Sequence, residues 1–205
     1  MTKGMCITYE VDFGLYINVT NRCTNRCSFC IRNNGDGAYG SDSLWLAHEP
    51  DEKEILDSVF GRDLSKYKEI VFCGYGEPTE RLEVIRGVAM KIKERCDIPI
   101  RVNTNGHSDL IFGKDTASLY SGAFDSVSIS LNASTKEKYY EMCHPVYGIS
   151  TFDAVIEFAK NVNKYVPCVA FSVVRQTLSE KELDECRSIA EAAGVPLRIR
   201  DYISG

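Results

Sequence analysis

The sequence has no apolar stretch long enough to cross a bilayer. Its longest apolar run, residues 166–174, is interrupted by Pro167 and Ser172, whereas a membrane-spanning helix needs about 20 apolar residues. No apolar segment follows the first few residues, so we expect no secretory signal. These absences predict a soluble protein of the cytoplasm that has no membrane partner.

The sequence also lacks an excess of positive charge. Lysine and arginine total 24 against 29 acidic residues, which gives a net charge of −5. A mildly acidic chain gives no electrostatic basis for broad binding to nucleic acid or to an anionic membrane. Repeats, low-complexity tracts and linkers are absent as well, so the 205 residues predict one domain over residues 1–205.

Six short apolar runs alternate with amphipathic helical stretches. The runs cover residues 14–19, 69–73, 98–102, 126–131, 168–174 and 197–199. Several are nearly continuous Val, Ile and Phe, which is typical of parallel strands covered on both faces. The series predicts an α/β fold, with residues 6–11 forming a hairpin against the first core strand. A doubly wound sheet and a partial barrel both fit, since six units fall short of the eight that close a barrel.

Capping residues mark several helix boundaries. Ser134 with Glu137, and Ser179 with Glu182, have the spacing of a capping box. The helix after Ser179 is predicted to end at Gly194, a residue typical of the C-terminal cap. Apolar residues at helical spacing predict two more helices, over residues 81–95 and 151–164.

Nine cysteines are a high count for a reducing compartment, but a disulfide-linked scaffold would be shorter and richer in loops. Six of them are scattered singly through predicted strands and helices, where a thiol acts as a small hydrophobe. The other three, Cys23, Cys27 and Cys30, have C-x3-C-x2-C spacing just after a strand. Thiolates grouped in this way favour an iron–sulfur or a zinc site.

No fourth Cys or His lies at a matching short spacing, and a structural zinc ion normally takes four protein ligands. Three thiolates on a cubane cluster instead leave one iron open for a substrate or cofactor. Two alternatives stay open at this point. One is zinc with a remote fourth ligand such as Cys6 or His48, and the other is three ordinary loop cysteines.

Cys23, Cys27, Phe29 and Cys30, arranged as C-x3-C-x-Phe-C, resemble the motif of the radical-SAM superfamily. The resemblance extends over nearly the whole chain and implies a partial (β/α)6 TIM-like barrel. It also implies a [4Fe–4S] cluster on the three cysteines, with the amino and carboxylate groups of S-adenosylmethionine (SAM) on the fourth iron. In that family, reductive cleavage of SAM yields a 5′-deoxyadenosyl radical that abstracts hydrogen from a substrate.

Further landmarks of the family stand at the predicted strand ends. Residues 73–79, Cys-Gly-Tyr-Gly-Glu-Pro-Thr, resemble its Gly-Gly-Glu-Pro element, which engages the SAM amino group, although Tyr75 replaces the first glycine. The resemblance assigns polar side chains at the following strand ends to SAM. The residues predicted to bind the cofactor are Phe29, Tyr75, Gly76, Glu77, Asn103, Asn105, Ser130, Asn132 and Arg175.

Some of these residues also fit purely structural roles. Asn105 followed by glycine fits a turn, and Asn132 fits a helix cap. Arg200 and Tyr202 come after the sixth strand at the same predicted rim, where substrate binding and simple solvation both stay open. No catalytic residue is predicted.

Residues 16–22, 130–133 and 143–145 look like those of the short radical-SAM proteins associated with TatD-type metal-dependent hydrolases. The resemblance implies SAM, a flavodoxin- or ferredoxin-type electron donor and association with a TatD-type hydrolase as partners. A laterally open barrel would suit a protein or nucleic-acid substrate, and a glycyl-radical-activating enzyme is one candidate. Two rival classes are a non-catalytic iron–sulfur or SAM-binding sensor and a zinc-stabilised structural or nucleic-acid-binding module.

Overall fold

A computed structural model describes residues 4–202 and contains one seven-stranded sheet with helices packed against its outer face. The strands are β1 (Thr8–Val11), β2 (Gly14–Ile17), β3 (Glu69–Phe72), β4 (Ile100–Thr104), β5 (Ser126–Ser130), β6 (Cys168–Val174) and β7 (Leu197–Arg200). The helices are α1 (Glu52–Phe60), α2 (Leu82–Lys93), α3 (Ser108–Phe112), α4 (Lys136–Cys143), α5 (Thr151–Val162) and α6 (Glu180–Ala193).

The spatial order of the strands follows their order in the chain. β1 pairs antiparallel with β2, and every later neighbour pair is parallel. Within residues 4–202 the sheet does not close on itself, because no ladder joins β7 to β1. The predicted α/β fold is confirmed as a partial TIM-like barrel of parallel strands with an N-terminal hairpin at one edge.

All six apolar runs are strands, and the run over residues 168–174 has the predicted bounds. Strand β4, which corresponds to the predicted run over residues 98–102, begins two residues later than predicted, at Ile100. Pro99 explains the difference, because a proline has no N–H to donate to a neighbouring strand.

The helix predictions are partly confirmed. Ser179 and Glu182 form the capping box of α6, and Gly194 ends that helix in the left-handed conformation with φ 74°. The prediction for Ser134 is wrong, since the next residue, Thr135, caps α4 by accepting a hydrogen bond from the Lys138 N–H at 3.2 Å.

Two helices, α1 and the short α3, were not predicted, although the start signal of α1 is present in the sequence. Asp51 accepts a hydrogen bond from the Glu54 N–H, and the Glu54 carboxylate accepts one from the Asp51 N–H, which is a complete capping box at the start of α1. Ile55 and Val59 bury the inner side of this helix.

Alternate residues along each strand divide the sheet into two faces. Ile70 and Phe72 of β3 point outward and pack with helix residues such as Ile85 and Val88 in the main core. The other face is concave and lines a cavity. Among residues 4–202, no helix is long and apolar enough to span a bilayer.

Candidate functional site

The motif cysteines lie in a loop that leaves the carboxyl end of β2 and crosses to the end of α4. The loop backbone is fastened there, since Arg26 N–H donates to Cys143 O at 2.8 Å and Ser28 N–H donates to Met142 O at 2.9 Å. The half-buried cysteines of the loop that line the cavity are Cys23, Cys27 and Cys30.

The protein surroundings of these three thiols raise their pKa values. Burial raises the pKa of Cys23 to about 12 and raises the pKa of Cys30. The pKa of Cys27 is raised first by a hydrogen bond with the thiol of Cys143 and then by burial. A metal or cluster that binds here must displace these protons, because its ligands are thiolates.

The remote zinc ligands considered from the sequence have other partners. The Cys6 thiol donates to Thr8 O at 3.8 Å, and His48 Nε2 lies 3.0 Å from Glu54 Oε1 at the surface. Within residues 4–202 no three His, Cys, Asp or Glu side chains are grouped closely enough to hold one metal ion. A cubane takes each thiolate on a separate iron, so its ligands stand farther apart than those of a single zinc ion.

The glycines after β3 are required by the chain itself. A Cβ on Gly76 would lie 2.3 Å from Thr20 O and 2.6 Å from Arg22 O, and a Cβ on Gly74 would lie 2.1 Å from Asn18 Oδ1. Both glycines therefore let the turn after β3 pack against the segment that leads into the cysteine loop. The atoms that exclude a side chain at either glycine belong to this chain.

Glu77 lines the cavity but is held by the protein's own donors. One carboxylate oxygen accepts from Thr79 N–H at 3.1 Å and from the Thr79 hydroxyl at 2.7 Å, and the other accepts from Asn105 N–H at 2.6 Å. Burial raises the pKa of Glu77, and these hydrogen bonds oppose the rise. The carboxylate thus joins the turn after β3 to the end of β4.

Tyr75, which replaces the first glycine of the family element, anchors the segment after the cysteine loop. Its side chain is 3% exposed, and its hydroxyl lies 2.8 Å from Gly35 O and 2.9 Å from Gly37 O. The ring packs edge-on against Trp45 with centroids 5.1 Å apart. Tyr75 therefore lines the cavity and also holds the segment over residues 35–45 in place.

A buried polar network connects the cysteine loop to β4 and α4. Asn105 Nδ2 donates to the Thr24 hydroxyl at 2.9 Å, and that hydroxyl lies 2.7 Å from His107 Nδ1. His107 Nε2 lies 2.8 Å from the Tyr139 hydroxyl, which also accepts from Asn25 Nδ2 at 3.2 Å. Each of these contacts joins segments far apart in the sequence.

His107 is wholly buried at the N-cap position of α3, where its side chain makes no hydrogen bond to the helix. Burial lowers its pKa to about 3, so the imidazole is neutral. No local pattern in the sequence indicates this role, because Thr24 and Tyr139 lie 83 and 32 residues away from His107.

The end of β5 carries a strained asparagine with an unused acceptor. Asn132 has a left-handed backbone with φ 60°, and its Oδ1 is buried without a hydrogen-bond partner among the described residues. Its Nδ2 lies 3.7 Å from the Cys143 thiol. Such strain and such an orphaned acceptor are typical of ligand sites.

The other predicted cofactor residues divide into two groups. Phe29, Asn103 and Ser130 line the cavity, and Asn103 Oδ1 accepts from Arg101 Nη1 at 2.6 Å. Arg175, also predicted as a cofactor residue, is not among the residues that line it. β6 ends at Val174, and the chain then turns outward so that Arg175 forms an exposed ion pair with Glu180 at 3.3 Å.

The cavity has a volume of about 430 Å³, within the usual range of small-molecule sites. The three cysteines supply the soft donors that an iron–sulfur cluster takes. The orphaned Asn132 Oδ1 and the polar concave face supply hydrogen-bonding groups for a polar cofactor. The residues present therefore fit a cluster with SAM beside it.

Comparisons with known proteins agree with this chemistry. The model of the Radical SAM superfamily matches residues 17–188. No curated protein matches the chain. Among solved structures, SuiB of Streptococcus suis bound to S-adenosylmethionine superposes with a TM-score of 0.65 at 16% identity, over 93% of this chain and 39% of SuiB.

A radical SAM methyltransferase from Sphaerobacter thermophilus superposes with a TM-score of 0.64 at 16% identity, over 95% of this chain and 68% of that protein. At such identity these two similarities establish the shared fold. The chain spans about two fifths of the length of SuiB.

Proposed function

Because this chain belongs to the radical SAM superfamily and is an enzyme of that class, we propose that it cleaves SAM reductively at a [4Fe–4S] cluster. When bound, the cluster and SAM supply a 5′-deoxyadenosyl radical for hydrogen abstraction. The observation that carries the proposal is that the three motif cysteines and the polar strand ends of β3, β4 and β5 line one cavity.

Cys23, Cys27 and Cys30 hold the cluster in this proposal. Their loop is fastened to α4 by two backbone hydrogen bonds and to β4 by the Thr24–Asn105 contact. A ligand set attached to rigid elements keeps its geometry better than one on a free loop.

The SAM-facing residues are proposed as the predicted set that lines the cavity. They are Phe29, Tyr75, Gly76, Glu77, Asn103, Asn105, Ser130 and Asn132. Asn132 is the strongest member, because its Oδ1 is free to accept a hydrogen bond from a bound cofactor. Glu77 contributes its negative charge to the site while it keeps its three internal hydrogen bonds.

The substrate and partners follow from the open barrel and from the sequence resemblance. Because the sheet does not close, its concave face is accessible from the side, which suits a macromolecular substrate such as a protein segment or a nucleic acid. We propose a flavodoxin- or ferredoxin-type electron donor, a cytoplasmic location and a functional association with a TatD-type hydrolase.

Iron and sulfide analysis with EPR spectroscopy of the reduced cluster tests the cofactor assignment. The proteins are the wild type, Cys27→Ala and, as a matched control, Cys168→Ala, which removes an exposed cysteine at the start of β6. We expect a full cluster in the wild type and the control, and a spectrum that changes when SAM is added.

Full iron and sulfide in Cys27→Ala would overturn the ligand assignment. A complete wild-type cluster whose spectrum ignores SAM would favour an iron–sulfur protein without SAM chemistry. Zinc in place of iron would favour the structural module.

A further inference from the structure

The concave face of the sheet is unusually polar for the inside of a barrel. Closed barrels of this type fill their interior with Val, Ile and Leu. Here the side chains that line the cavity include Ser128, Ser130 and Ser172 on β5 and β6 and Arg101 on β4. A molecule bound against this face must therefore be polar.

Two arginines extend this face at its open edge. Arg198 and Arg200 alternate along β7, and both line the cavity. The register places Arg198 opposite Ser172 and Arg200 opposite Val174 on β6. The two residues therefore lie on one face of the edge strand, with their Cα atoms about 7 Å apart along it.

These arginines differ from Arg101, which is neutralised on the same face. Arg101 forms two hydrogen bonds with Glu69, at 2.7 and 3.1 Å, and a third with Asn103. In contrast, no ion pair within residues 4–202 involves Arg198 or Arg200, and Arg200 Nε is buried without a hydrogen-bond partner.

The acidic groups that line the cavity do not fill this role. Glu77 is held by its own donors, Asp12 forms no ion pair among the described residues, and Asp201 accepts a bond from Gln176 Nε2 at 3.3 Å. Burial raises the pKa of Tyr39 and of Cys73, and the nearby positive charge of Arg200 opposes that rise in both. A buried donor atom without a partner calls for an explanation, and an anionic ligand in the cavity would supply one for Arg200 Nε.

We infer that Arg200, with Arg198 beside it, forms a subsite for an anionic group of the substrate, a phosphate or a carboxylate. A guanidinium binds either group through two parallel hydrogen bonds. Two uncompensated positive charges suit a phosphate monoester or a pair of carboxylates. The inference rests on the proposed function, since it names the chemistry of the substrate for that same cavity.

Isothermal titration calorimetry tests the subsite on the cluster-loaded protein with SAM in excess and no reductant. The excess of SAM fills the cofactor site, so that the anionic probe cannot bind there in place of the SAM carboxylate. The probes are inorganic phosphate and acetate, which separate the two possible anions. The variants are Arg200→Gln, Arg200→Lys and, as a charge-matched control, Arg187→Gln on the outer surface of α6, where Arg187 pairs with Asp184.

We expect at least one anion to bind the wild type and Arg187→Gln equally, with about tenfold or greater loss in Arg200→Gln. Arg200→Lys should recover part of the affinity, because it restores the charge without the planar fork. The affinity for SAM should be the same in all four proteins.

Equal anion affinity in wild type and Arg200→Gln, or no anion binding to the wild type at millimolar concentration, would overturn the subsite. A loss of SAM affinity in Arg200→Gln would overturn it too, because the arginine would then serve the cofactor. Failure of the proposed function is seen separately: the anion would still bind through Arg200, but SAM would neither bind nor be cleaved.

Discussion

Individual side chains around the cysteine loop bind mainly to one another. Glu77, expected to face the SAM amino group, also accepts three hydrogen bonds from Thr79 and Asn105. Asn105, expected to contact SAM, donates to Thr24 and accepts from His107 N–H at 3.0 Å. These residues position the cysteine loop, so we expect changes at Glu77 or Asn105 to alter cluster binding as well as the SAM binding proposed for them.

The buried His107 provides the first prediction. Replacing it in His107→Leu leaves the hydroxyls of Thr24 and Tyr139 without their imidazole partner. An unpaired buried polar group costs about 1–3 kcal/mol. We expect a loss of that order in the free energy of unfolding of the cluster-free protein, measured by urea denaturation.

The surface variant His48→Gln serves as the control for this experiment, because His48 contacts only an exposed carboxylate in the described structure. Equal stability of His107→Leu and the wild type would show that the network contributes nothing to the fold.

Gly76 provides the second prediction. A Cβ in Gly76→Ala would lie 2.3 Å from Thr20 O, so the segment that leads into the cysteine loop must move. We expect reduced iron content after reconstitution and a lower unfolding midpoint. Gly4→Ala is the matched control, since its Cβ would lie 3.7 Å from the nearest atom. Normal iron content in Gly76→Ala would mean that the turn adapts freely.

Among individual residues, the sequence predicts motifs whose members are neighbours in the chain, but not contacts between residues that are far apart in it. The cysteine spacing is contained within residues 23–30, so the motif could be recognised without a structure. The partners of His107 come from elsewhere in the chain, and no pattern along the sequence joins them. The position of Arg175 outside the cavity could not be predicted either, because the direction in which a chain leaves a strand depends on its packing.

The secondary-structure elements were predicted well where their patterns were strong. Each apolar run became a strand, since continuous Val, Ile and Phe suit a sheet covered on both faces. Helix α1 was not predicted, although Asp51 and Glu54 have the spacing of a capping box in the sequence. Ser134 and Thr135 both have side chains that can cap a helix, so only the backbone geometry distinguishes them.

Helix α6 provides a pH-dependent prediction. Hydrogen bonds from Lys138, and then from Ser179, lower the pKa of Glu182 to about 2, whereas an unfolded glutamate has a pKa of about 4.3. Because the folded pKa is the lower one, the stabilisation is complete above about pH 4.3 and is lost as the pH falls towards 2.

The measurement is the unfolding free energy of the wild type and Glu182→Gln between about pH 6 and 2. We expect the wild type to lose more stability than the variant as the pH falls. Parallel curves for the two proteins would show that the hydrogen bonds of Glu182 do not stabilise the fold.

The whole molecule consists of one sheet whose outer face contributes to a main hydrophobic core shared by all six helices. The inner face carries the polar cavity. This division explains why the fold followed from apolar patterning, while the polar side chains facing inward had to be located by the structure.

The same division predicts cooperative unfolding. Because one main core joins the sheet and the helices of residues 4–202, we expect the cluster-free protein to unfold in a single transition, with circular dichroism and tryptophan fluorescence coinciding. Trp45, the only tryptophan, packs against Tyr75 and reports on the segment over residues 35–45. Two separated transitions would show that this segment folds independently of the sheet.

The most direct test of the account is the production of 5′-deoxyadenosine. Reconstituted protein is mixed anaerobically with SAM and a strong reductant, and the product is measured by mass spectrometry. We expect 5′-deoxyadenosine from the wild type and from Cys168→Ala, and none from Cys27→Ala. Wild-type protein with a complete cluster that yields no more than Cys27→Ala would contradict it.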